Sequence, residues 1–285
     1  MKRDDRSKII YIAGCGHSGS TLLDLLLSTH PDVCGLDEAR MLVDDDRRPQ
    51  YTANAHDRIC SCGKAIDRCA IWSPFLKQTQ RTPNESFGKR YAMLLDIVRD
   101  VVGPDTVICD SSKHLPALHQ LLSGIRKGDL HGIRPDDLLV VHLVKDARAY
   151  TTSMKYRYDL PPWSLPKWFY KWYNDNREIS RFLREGQSLA SMQVTYEQLC
   201  FNPNAVLKSI LSTADLPFYD QTGSLGKAEA HIGLGNPMRS DESKSRNIVY
   251  DSRWFHEPLI QAFYYLIPQV RSYNEALGTS NLHNQ

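Results

Sequence analysis

Four short stretches of the chain are almost continuously apolar. They are Lys8–Ala13, Thr106–Asp110, Leu138–Val144 and Met192–Tyr196. Runs of this length, rich in Val, Ile, Leu or Tyr, are typical of strands that are buried on both faces of a parallel sheet. The pattern therefore predicts at least four central strands.

Longer segments between and after these strands have helical character. In the stretch from 166 to 183 the large apolar residues recur at helical spacing, which predicts one buried face. The predicted helices are Ser20–Thr29, Ser86–Val102, Leu115–Leu122, Pro166–Leu183, Asn204–Leu211 and Glu257–Leu266. Strands that alternate with helices indicate an α/β fold with a central, mainly parallel sheet.

We expect residues 1–285 to form a single domain, because neither a linker nor a repeat interrupts this alternation. Residues 44–73 are polar and irregular, which predicts a surface excursion over the sheet. Residues 223–252 are poor in apolar side chains and predict a long, late polar loop. Residues 278–285 predict a flexible tail.

Composition narrows the range of partners and compartments. A formal net charge of +2 gives no overall basic field, so we expect no nucleic-acid partner. The apolar run near the N-terminus is far shorter than the roughly 20 residues of a membrane span, which predicts neither a membrane span nor a signal segment. Seven dispersed cysteines fit reduced thiols better than a disulfide framework. Together these features predict a cytoplasmic protein.

The turn after the first strand has the layout of a phosphate-binding loop. The spacing Gly14-x-x-x-x-Gly19-Ser20-Thr21 matches the nucleotide-binding loop of P-loop proteins, except that Ser20 replaces the lysine. That lysine normally neutralises the β- and γ-phosphates around Mg²⁺. Backbone N–H groups and hydroxyls of residues 18–21 therefore predict a site for a terminal anion other than that of ATP·Mg.

A second group of polar residues follows the strand Leu138–Val144. Lys145, Arg148 and Ser153 come just after its carboxyl end, where ligands of parallel sheets bind. A lysine, an arginine and a hydroxyl in this position predict a second anion site, although charges on a solvated helix start would give the same pattern.

Together the two groups resemble the nucleotide-binding motifs of sulfotransferases that use 3′-phosphoadenosine 5′-phosphosulfate (PAPS). The stretch from His17 to Leu23, HSGSTLL, resembles the family's 5′-phosphosulfate loop, and Lys145 with Ser153 resembles its 3′-phosphate motif. Further matches, in the expected order, are residues 35–40, 110–113, 196–199 and 235–239. Among the branches of the family, the chain resembles the bacterial-type and tyrosylprotein-type members most.

This resemblance implies a P-loop-like three-layer sandwich and a sulfotransferase. The enzyme would move a sulfuryl group from PAPS to an acceptor hydroxyl or amine by in-line transfer, without a metal. The acceptor would be a saccharide, a peptide or a small molecule. The donor-binding residues that the resemblance implies are Gly16, His17, Ser18, Gly19, Ser20, Thr21, Lys145, Arg148, Ser153 and Arg239.

Four catalytic residues follow from the same resemblance. Glu38 matches the catalytic glutamate of tyrosylprotein sulfotransferases, whereas His114 matches the catalytic histidine of cytosolic ones, so the base is either of the two. Lys113 would stabilise the leaving phosphate. His17 takes the position of the usual lysine or arginine of the loop.

Three features keep other interpretations open. Asp110 is a candidate metal ligand for a P-loop kinase or nucleotidase that uses ATP·Mg, and a non-catalytic nucleotide- or carbohydrate-binding protein would need the same loop. Cys60, Cys62 and Cys69 form a cysteine cluster with His56 as the nearby candidate for a fourth ligand. Because zinc sites typically use C-x₂-C pairs and four ligands, we expect a structural loop here and no metal.

Overall fold

The computed structural model describes residues 8–185, 189–219, 225, 230–233 and 247–279. The strands are β1 (Ile9–Gly14), β2 (Val33–Gly35), β3 (Val107–Lys113), β4 (Leu138–Val144) and β5 (Ala190–Thr195). They form one parallel sheet in the order β2-β3-β1-β4-β5. The predicted α/β fold with a parallel sheet is confirmed, and the four predicted strands are all present.

Helices connect the strands and cover both faces of the sheet. They are α1 (Ser20–Leu27), α2 (Arg40–Val43), α3 (Arg48–Thr52), α4 (Trp72–Arg81), α5 (Phe87–Val101), α6 (Leu115–Lys127), α7 (Ala147–Tyr158), α8 (Leu165–Arg184), α9 (Tyr196–Phe201), α10 (Pro203–Thr213), α11 (Pro258–Leu266) and α12 (Pro268–Thr279). Local signals set some ends: the Ser86 hydroxyl caps α5 by accepting the Lys89 N–H, and Gly128 ends α6 with a φ of 76°.

The two faces of β1 belong to two separate cores. Ile10 and Ile12 pack into a cluster with residues of α1 and α10, whereas Tyr11 and Ala13 pack into a cluster with residues of α5 and α6. Successive side chains of a strand point to opposite faces, so an apolar run without alternation is buried from both sides. This is the predicted three-layer arrangement of helices, sheet and helices.

The end of β3 and the stretch 44–73 differ from the predictions. Strand β3 continues beyond Asp110 through Ser111, Ser112 and Lys113, because its polar end is buried and hydrogen-bonded inside the protein. The stretch 44–73 is a surface excursion only in part. Six of its residues are buried in the core on the α5 and α6 side of the sheet: Ala55, Cys60, Ile66, Cys69, Ile71 and Trp72. Isolated apolar residues between polar ones leave no periodic pattern that would predict their burial.

The late segments are described only in part. Within the predicted polar loop, residues 223–252, Ala230 and Ile232 are buried against the α1 side of the sheet. Of the predicted tail, residues 278 and 279 end α12, and the rest lies outside the described residues. No helix in the described part of the chain is both long and apolar enough to cross a membrane. The prediction of a single domain stays a prediction.

Candidate active site

A cleft of about 1690 Å³ opens at the carboxyl ends of the strands, around central strand β1. Strand β1 pairs with β3 on one side and with β4 on the other, and the chain crosses from one side of β1 to the other between β3 and β4. Such a switch in strand order is where parallel α/β sheets bind ligands. Of the predicted site residues, the cleft is lined by Gly16, His17, Gly19, Ser20, Thr21, Glu38, Lys113, His114, Lys145 and Ser153.

The loop between β1 and α1 forms the floor of the cleft. Gly19 has a φ of 95°, and a Cβ atom there would lie 2.5 Å from Cδ2 of Tyr196, so no other residue fits without strain. His17 is also left-handed, with a φ of 63°. The Ser18 side chain is buried, and its Oγ has no hydrogen-bond partner among the described residues. Ser20 and Thr21 at the start of α1 line the cleft, and the N–H groups of this first turn, which have no partner within the helix, suit an anion. Ser18, although predicted to bind the donor, is not among the residues that line the cleft.

His17 is the histidine of this loop, and it is uncharged near neutral pH. Burial, followed by the positive charges of Lys145, Lys113 and Arg157, lowers the pKa of His17 to about 4. The imidazole contacts the ring of Tyr158 edge-on, with 6.3 Å between the ring centroids. Without a ligand, His17 therefore offers a neutral hydrogen-bonding group in place of the permanent charge that lysine or arginine would supply.

The second predicted anion site is assembled from the end of β4 and one face of α7. Lys145 is buried, and its Nζ lies 3.1 Å from Ser153 Oγ and 4.5 Å from the centre of the Tyr196 ring. Burial lowers the pKa of Lys145, and the charge of Asp251 opposes this effect. The spacing of eight residues from the strand end to the second turn of α7 is what brings the hydroxyl to the ammonium group.

Asp251 and Arg253 complete this site, and sequence reasoning missed both. The Asp251 carboxylate accepts hydrogen bonds from Lys145 Nζ at 3.4 Å and from Ser153 Oγ at 3.2 Å. Arg253 binds the same carboxylate through both Nε and Nη2, at 2.7 and 2.8 Å. Although burial acts to raise it, hydrogen bonds from Arg253 and the charge of Lys145 hold the pKa of Asp251 well below its usual range.

Arg148 lies apart from the anion site that it was predicted to share. Its guanidinium binds the Asp146 carboxylate through Nε at 2.9 Å and Nη2 at 2.7 Å. The same group stacks between Trp254 and Tyr264, 4.1 and 4.6 Å from the ring centres. These contacts make it a packing residue at the base of α7. Arg239, the other predicted donor-binding arginine, lies outside the described residues.

Three of the four predicted catalytic residues, Glu38, Lys113 and His114, lie at the carboxyl ends of β2 and β3. Lys113 Nζ lies 2.8 Å from Glu38 Oε1, and Arg40 Nη2 lies 4.0 Å from Glu38 Oε2. Lys113 has a φ of 64°, an uncommon conformation for a residue with a side chain. His114 follows directly, and partial burial with the charge of Arg40 lowers the pKa of its imidazole. Both candidate bases line the same cleft, and the lowered pKa of His114 favours its neutral imidazole, which can accept a proton.

The buried carboxylates of Asp24 and Asp37 hold the backbone of the segment that carries Glu38. The Asp37 N–H donates to Asp24 Oδ2 at 2.9 Å, and the Ser111 hydroxyl donates to Asp37 Oδ1 at 3.1 Å. Burial and the nearby Asp37 raise the pKa of Asp24 to about 8, so Asp24 carries little charge near neutral pH. This network fixes the backbone next to Glu38.

Asp110, the candidate metal ligand of a kinase-like enzyme, makes hydrogen bonds inside the protein instead. It is buried, accepts a hydrogen bond from Tyr91 at 3.0 Å, and also holds the backbone N–H and hydroxyl of Ser112. Burial raises its pKa to about 6. The Ser112 hydroxyl in turn accepts the N–H of Arg40 at 3.1 Å, so Asp110 orients the catalytic segment and does not line the cleft.

Comparisons with known proteins place this chain in a family. The profile of a family described as the sulfotransferase family matches residues 10–220. The sulfotransferase domain of the olefin synthase from Synechococcus PCC 7002 has a similar structure, with 18% sequence identity, 92% of this chain and 97% of that chain covered, and a TM-score of 0.57.

A sulfotransferase from Alicyclobacillus acidocaldarius is also similar, with 12% identity, 95% of this chain and 96% of that chain covered, and a TM-score of 0.47. No curated protein sequence matches the chain significantly. Of the two structures, only the olefin synthase domain is similar enough to support the fold. The family match covers most of the chain, which therefore belongs to the sulfotransferase family and is a PAPS-dependent sulfotransferase.

Proposed function

We propose that the cleft holds PAPS across its two anion sites. The 5′-phosphosulfate lies on the loop from residue 16 to residue 21, and the 3′-phosphate lies between Lys145, Ser153 and Arg253. The observation that carries this proposal is that a buried lysine with a hydroxyl partner, Lys145 with Ser153, opens into the same cleft as the phosphate-binding loop. One nucleotide with phosphates on both its 5′ and 3′ positions fits two such sites.

The chain provides polar groups that a bound donor would satisfy. At the loop end, Ser20 and Thr21 line the cleft at the start of α1, where the backbone N–H groups have no partner within the helix, and the Tyr196 ring leaves no room for a side chain at Gly19. At the other end, the Asp251 carboxylate occupies the position between Lys145, Ser153 and Arg253 that a phosphate would take. Carboxylate and phosphate oxygens accept the same hydrogen bonds, so Asp251 marks the place of an anion.

For the transfer itself, we propose Glu38 as the base and Lys113 as the cation for the leaving group. The acceptor oxygen or nitrogen attacks sulfur in line, the bond from sulfur to the bridging phosphate oxygen breaks, and the acceptor proton moves to the Glu38 carboxylate. Lys113 neutralises the charge that develops on the leaving phosphate, and loop N–H groups hold the sulfuryl oxygens. His17 adds a neutral hydrogen bond there. The expectation that this step needs no metal stays a prediction.

The part of the cleft beyond Glu38 would take the acceptor. It is lined by Tyr51, with the guanidinium of Arg58 stacked 5.0 Å from its ring centre, and on another side by Tyr158 and Trp168, which stack on each other at 6.2 Å. Aromatic faces suit a saccharide, a peptide side chain or a ring-bearing small molecule equally well, so the acceptor class stays at a hydroxyl or amine carried by one of these. A cytoplasmic location likewise stays a prediction.

Calorimetry with the product nucleotide tests the donor site. The 3′,5′-bisphosphate (PAP) should bind without metal, and much more tightly than adenosine 5′-monophosphate (AMP), because only PAP engages Lys145 and Arg253. ATP·Mg should bind weakly or not at all. Binding of ATP·Mg alone would contradict the proposal. Tight PAP binding without transfer from PAPS to any of a panel of saccharide, peptide and phenol acceptors would favour a binding protein.

The choice of base is tested separately. Glu38→Gln keeps the shape of the side chain but loses the proton acceptor, so we expect turnover to fall by about 100-fold or more with PAP affinity little changed. His114→Gln is the matched variant and should keep most of the turnover. The opposite ranking of the two variants would make His114 the base.

A further inference from the structure

Outside the cleft, three cysteines and one histidine come together at a second place. The Sγ atoms of Cys60, Cys62 and Cys69 and one ring nitrogen of His231 all lie within 4.8 Å of one another. His56, the fourth ligand that the sequence offered, is not part of this group, because it lies on the surface beside Asp57, 3.3 Å from its carboxylate. The fourth member comes instead from a segment far along the chain.

The distances in this group fit a single tetrahedral ion. Four ligands around zinc, with Zn–S bonds of about 2.3 Å, place neighbouring sulfur atoms about 3.8 Å apart. Cys60 and Cys69 have a separation of 3.8 Å between their Sγ atoms. Cys69 Sγ lies 3.2 Å from His231 Nδ1, close to the sulfur–nitrogen edge of about 3.5 Å that the same geometry requires.

The backbone around the first cysteines forms a tight turn. The Gly63 N–H donates to the carbonyl of Cys60 at 2.9 Å, and the Cys60 N–H donates to the carbonyl of Lys64 at 2.8 Å. Gly63 has a φ of 80°, which favours glycine at this position. The turn directs Cys60 and Cys62 to the same side although only one residue separates them.

His231 is held in place by backbone contacts on both sides. Its N–H donates to the carbonyl of Gly35 at 2.8 Å, and its carbonyl accepts the indole N–H of Trp72 at 2.6 Å. At the next residue, the Ile232 N–H donates to Ser61 Oγ at 2.9 Å, and the Ser61 N–H donates to the Ile232 carbonyl at 2.9 Å. Hydrogen bonds to three different segments therefore bring this histidine to the cysteines.

We propose that Cys60, Cys62, Cys69 and His231 bind one Zn²⁺ ion as a structural site. All four ligands come from the protein, which leaves no position for a substrate. Three thiolates with one imidazole select zinc over hard cations such as Mg²⁺ and Ca²⁺, which prefer oxygen ligands. As the ion binds, the thiols release their protons to solvent. The proposal replaces the sequence-based expectation of a loop without metal, because the sequence could not supply His231.

Such an ion would connect parts of the fold that support the active site. Cys69 and His231 are 162 residues apart, so the ion closes a very long loop. The His231 N–H donates to the carbonyl of Gly35, which is the last residue of β2 and lies three residues before Glu38. Loss of zinc should therefore loosen the segment that carries Glu38 as well as the loop from 60 to 72.

Metal analysis of the purified protein tests the site without any assay of transfer. Protein expressed with zinc and freed of loosely bound metal should contain about one zinc ion per chain. Replacement by Co²⁺ should give the intense visible absorption of a tetrahedral cobalt–thiolate centre. Extraction of zinc by a strong chelator should lower the unfolding temperature, and added Zn²⁺ should restore it.

Two variants separate a zinc site from cysteines that only pack. Cys62→Ser removes the most exposed ligand, so the fold should survive while zinc affinity falls by about 100-fold or more. Cys200→Ser, at a cysteine outside the group, should keep the full zinc content. Protein without zinc or cobalt absorption would overturn the proposal, as would a disulfide between Cys60 and Cys69 in protein kept under reducing conditions. Neither result depends on the donor or the acceptor of the transfer reaction.

Discussion

The two ends of the cleft, which we propose as the two anion sites, differ in the groups that they present. At the loop end, backbone N–H groups, small hydroxyls and a neutral His17 face the ligand, and the shape depends on Gly19. At the other end, charged side chains dominate: Lys145 and Arg253 surround one carboxylate, that of Asp251. The loop end therefore relies on geometry, and the lysine end relies on charge.

This difference separates what each end contributes to recognition. Backbone N–H groups at a helix start bind any terminal anion of suitable size, so the loop end should bind AMP and PAP with similar affinity. Only a ligand with a second phosphate reaches Lys145 and Arg253. The lysine end should therefore supply the selectivity for a 3′-phosphate, and the ratio of PAP affinity to AMP affinity measures it.

The largest effect should come from removing the buried charge at the lysine end. Lys145→Ala should weaken PAP binding by on the order of 100-fold, because a buried charge is lost and Asp251 loses a partner. AMP binding should change little, and calorimetry with both nucleotides measures the ratio. Lys89→Ala, at a lysine paired with Glu85 on the surface, is the control. An equal loss for both nucleotides would show that the two ends do not divide their roles.

A change of shape at the loop end should be next in size. In Gly19→Ala, the new methyl group meets Tyr196 and the backbone keeps a left-handed conformation, at a cost of about 2 kcal/mol or more in the free energy of unfolding. We expect PAP and AMP affinity to fall together by about tenfold. Gly16→Ala is the matched control for stability, because a Cβ there has no neighbour within 4 Å. A selective loss of PAP binding in Gly19→Ala would contradict the comparison.

Removal of the carboxylate at the lysine end should act in the opposite direction. If Asp251 occupies the place of a phosphate, Asp251→Asn leaves Lys145 and Arg253 with uncompensated charge, and PAP affinity should rise about fivefold. AMP affinity should stay the same. Asp136→Asn, at a surface carboxylate, is the control. Weaker PAP binding in Asp251→Asn would instead show that Asp251 orients the two cations for the ligand.

Much of the fold could be predicted because strands that are buried on both faces of the sheet appear in the sequence as continuous apolar runs. Strands such as β1 and β4 are long enough to show a continuous apolar run, and β4 has the predicted bounds. Strand β2 has only three residues, one of them glycine, and gives no such signal. The polar end of β3 was missed because its residues are buried by hydrogen bonds rather than by apolar contacts.

The site was predictable where its parts are close in sequence. The loop from residue 14 to 21 follows from one turn, and Lys145 meets Ser153 because eight residues span a strand end and two helical turns. Asp251 lies 106 residues after Lys145, and its contact depends on how the late segment packs. His231 is a similar case. Arg148 is basic and follows the end of β4, as an anion-binding residue would, but its guanidinium is held by Asp146 and by two aromatic rings, away from Lys145 and Ser153.

The smallest effect, and the most direct test of the neutral loop end, is the titration of His17. In the free protein, burial and then the nearby positive charges hold the pKa of His17 at about 4. A bound 5′-phosphate adds negative charge beside the ring and should raise this pKa, so His17 takes up a proton on binding. Affinity should then increase as the pH falls through the bound-state pKa, and should stop increasing below about 4, where the free protein is protonated as well.

NMR titration of the imidazole with and without AMP measures the shift, and His17→Gln assigns the resonance. Because the phosphate at the loop end is common to both nucleotides, AMP and PAP should raise the pKa of His17 by similar amounts. If only PAP raised it, the charge that His17 senses would come from the 3′-phosphate. The imidazole would then belong to the lysine end, and the loop would bind its anion through backbone N–H groups and hydroxyls alone.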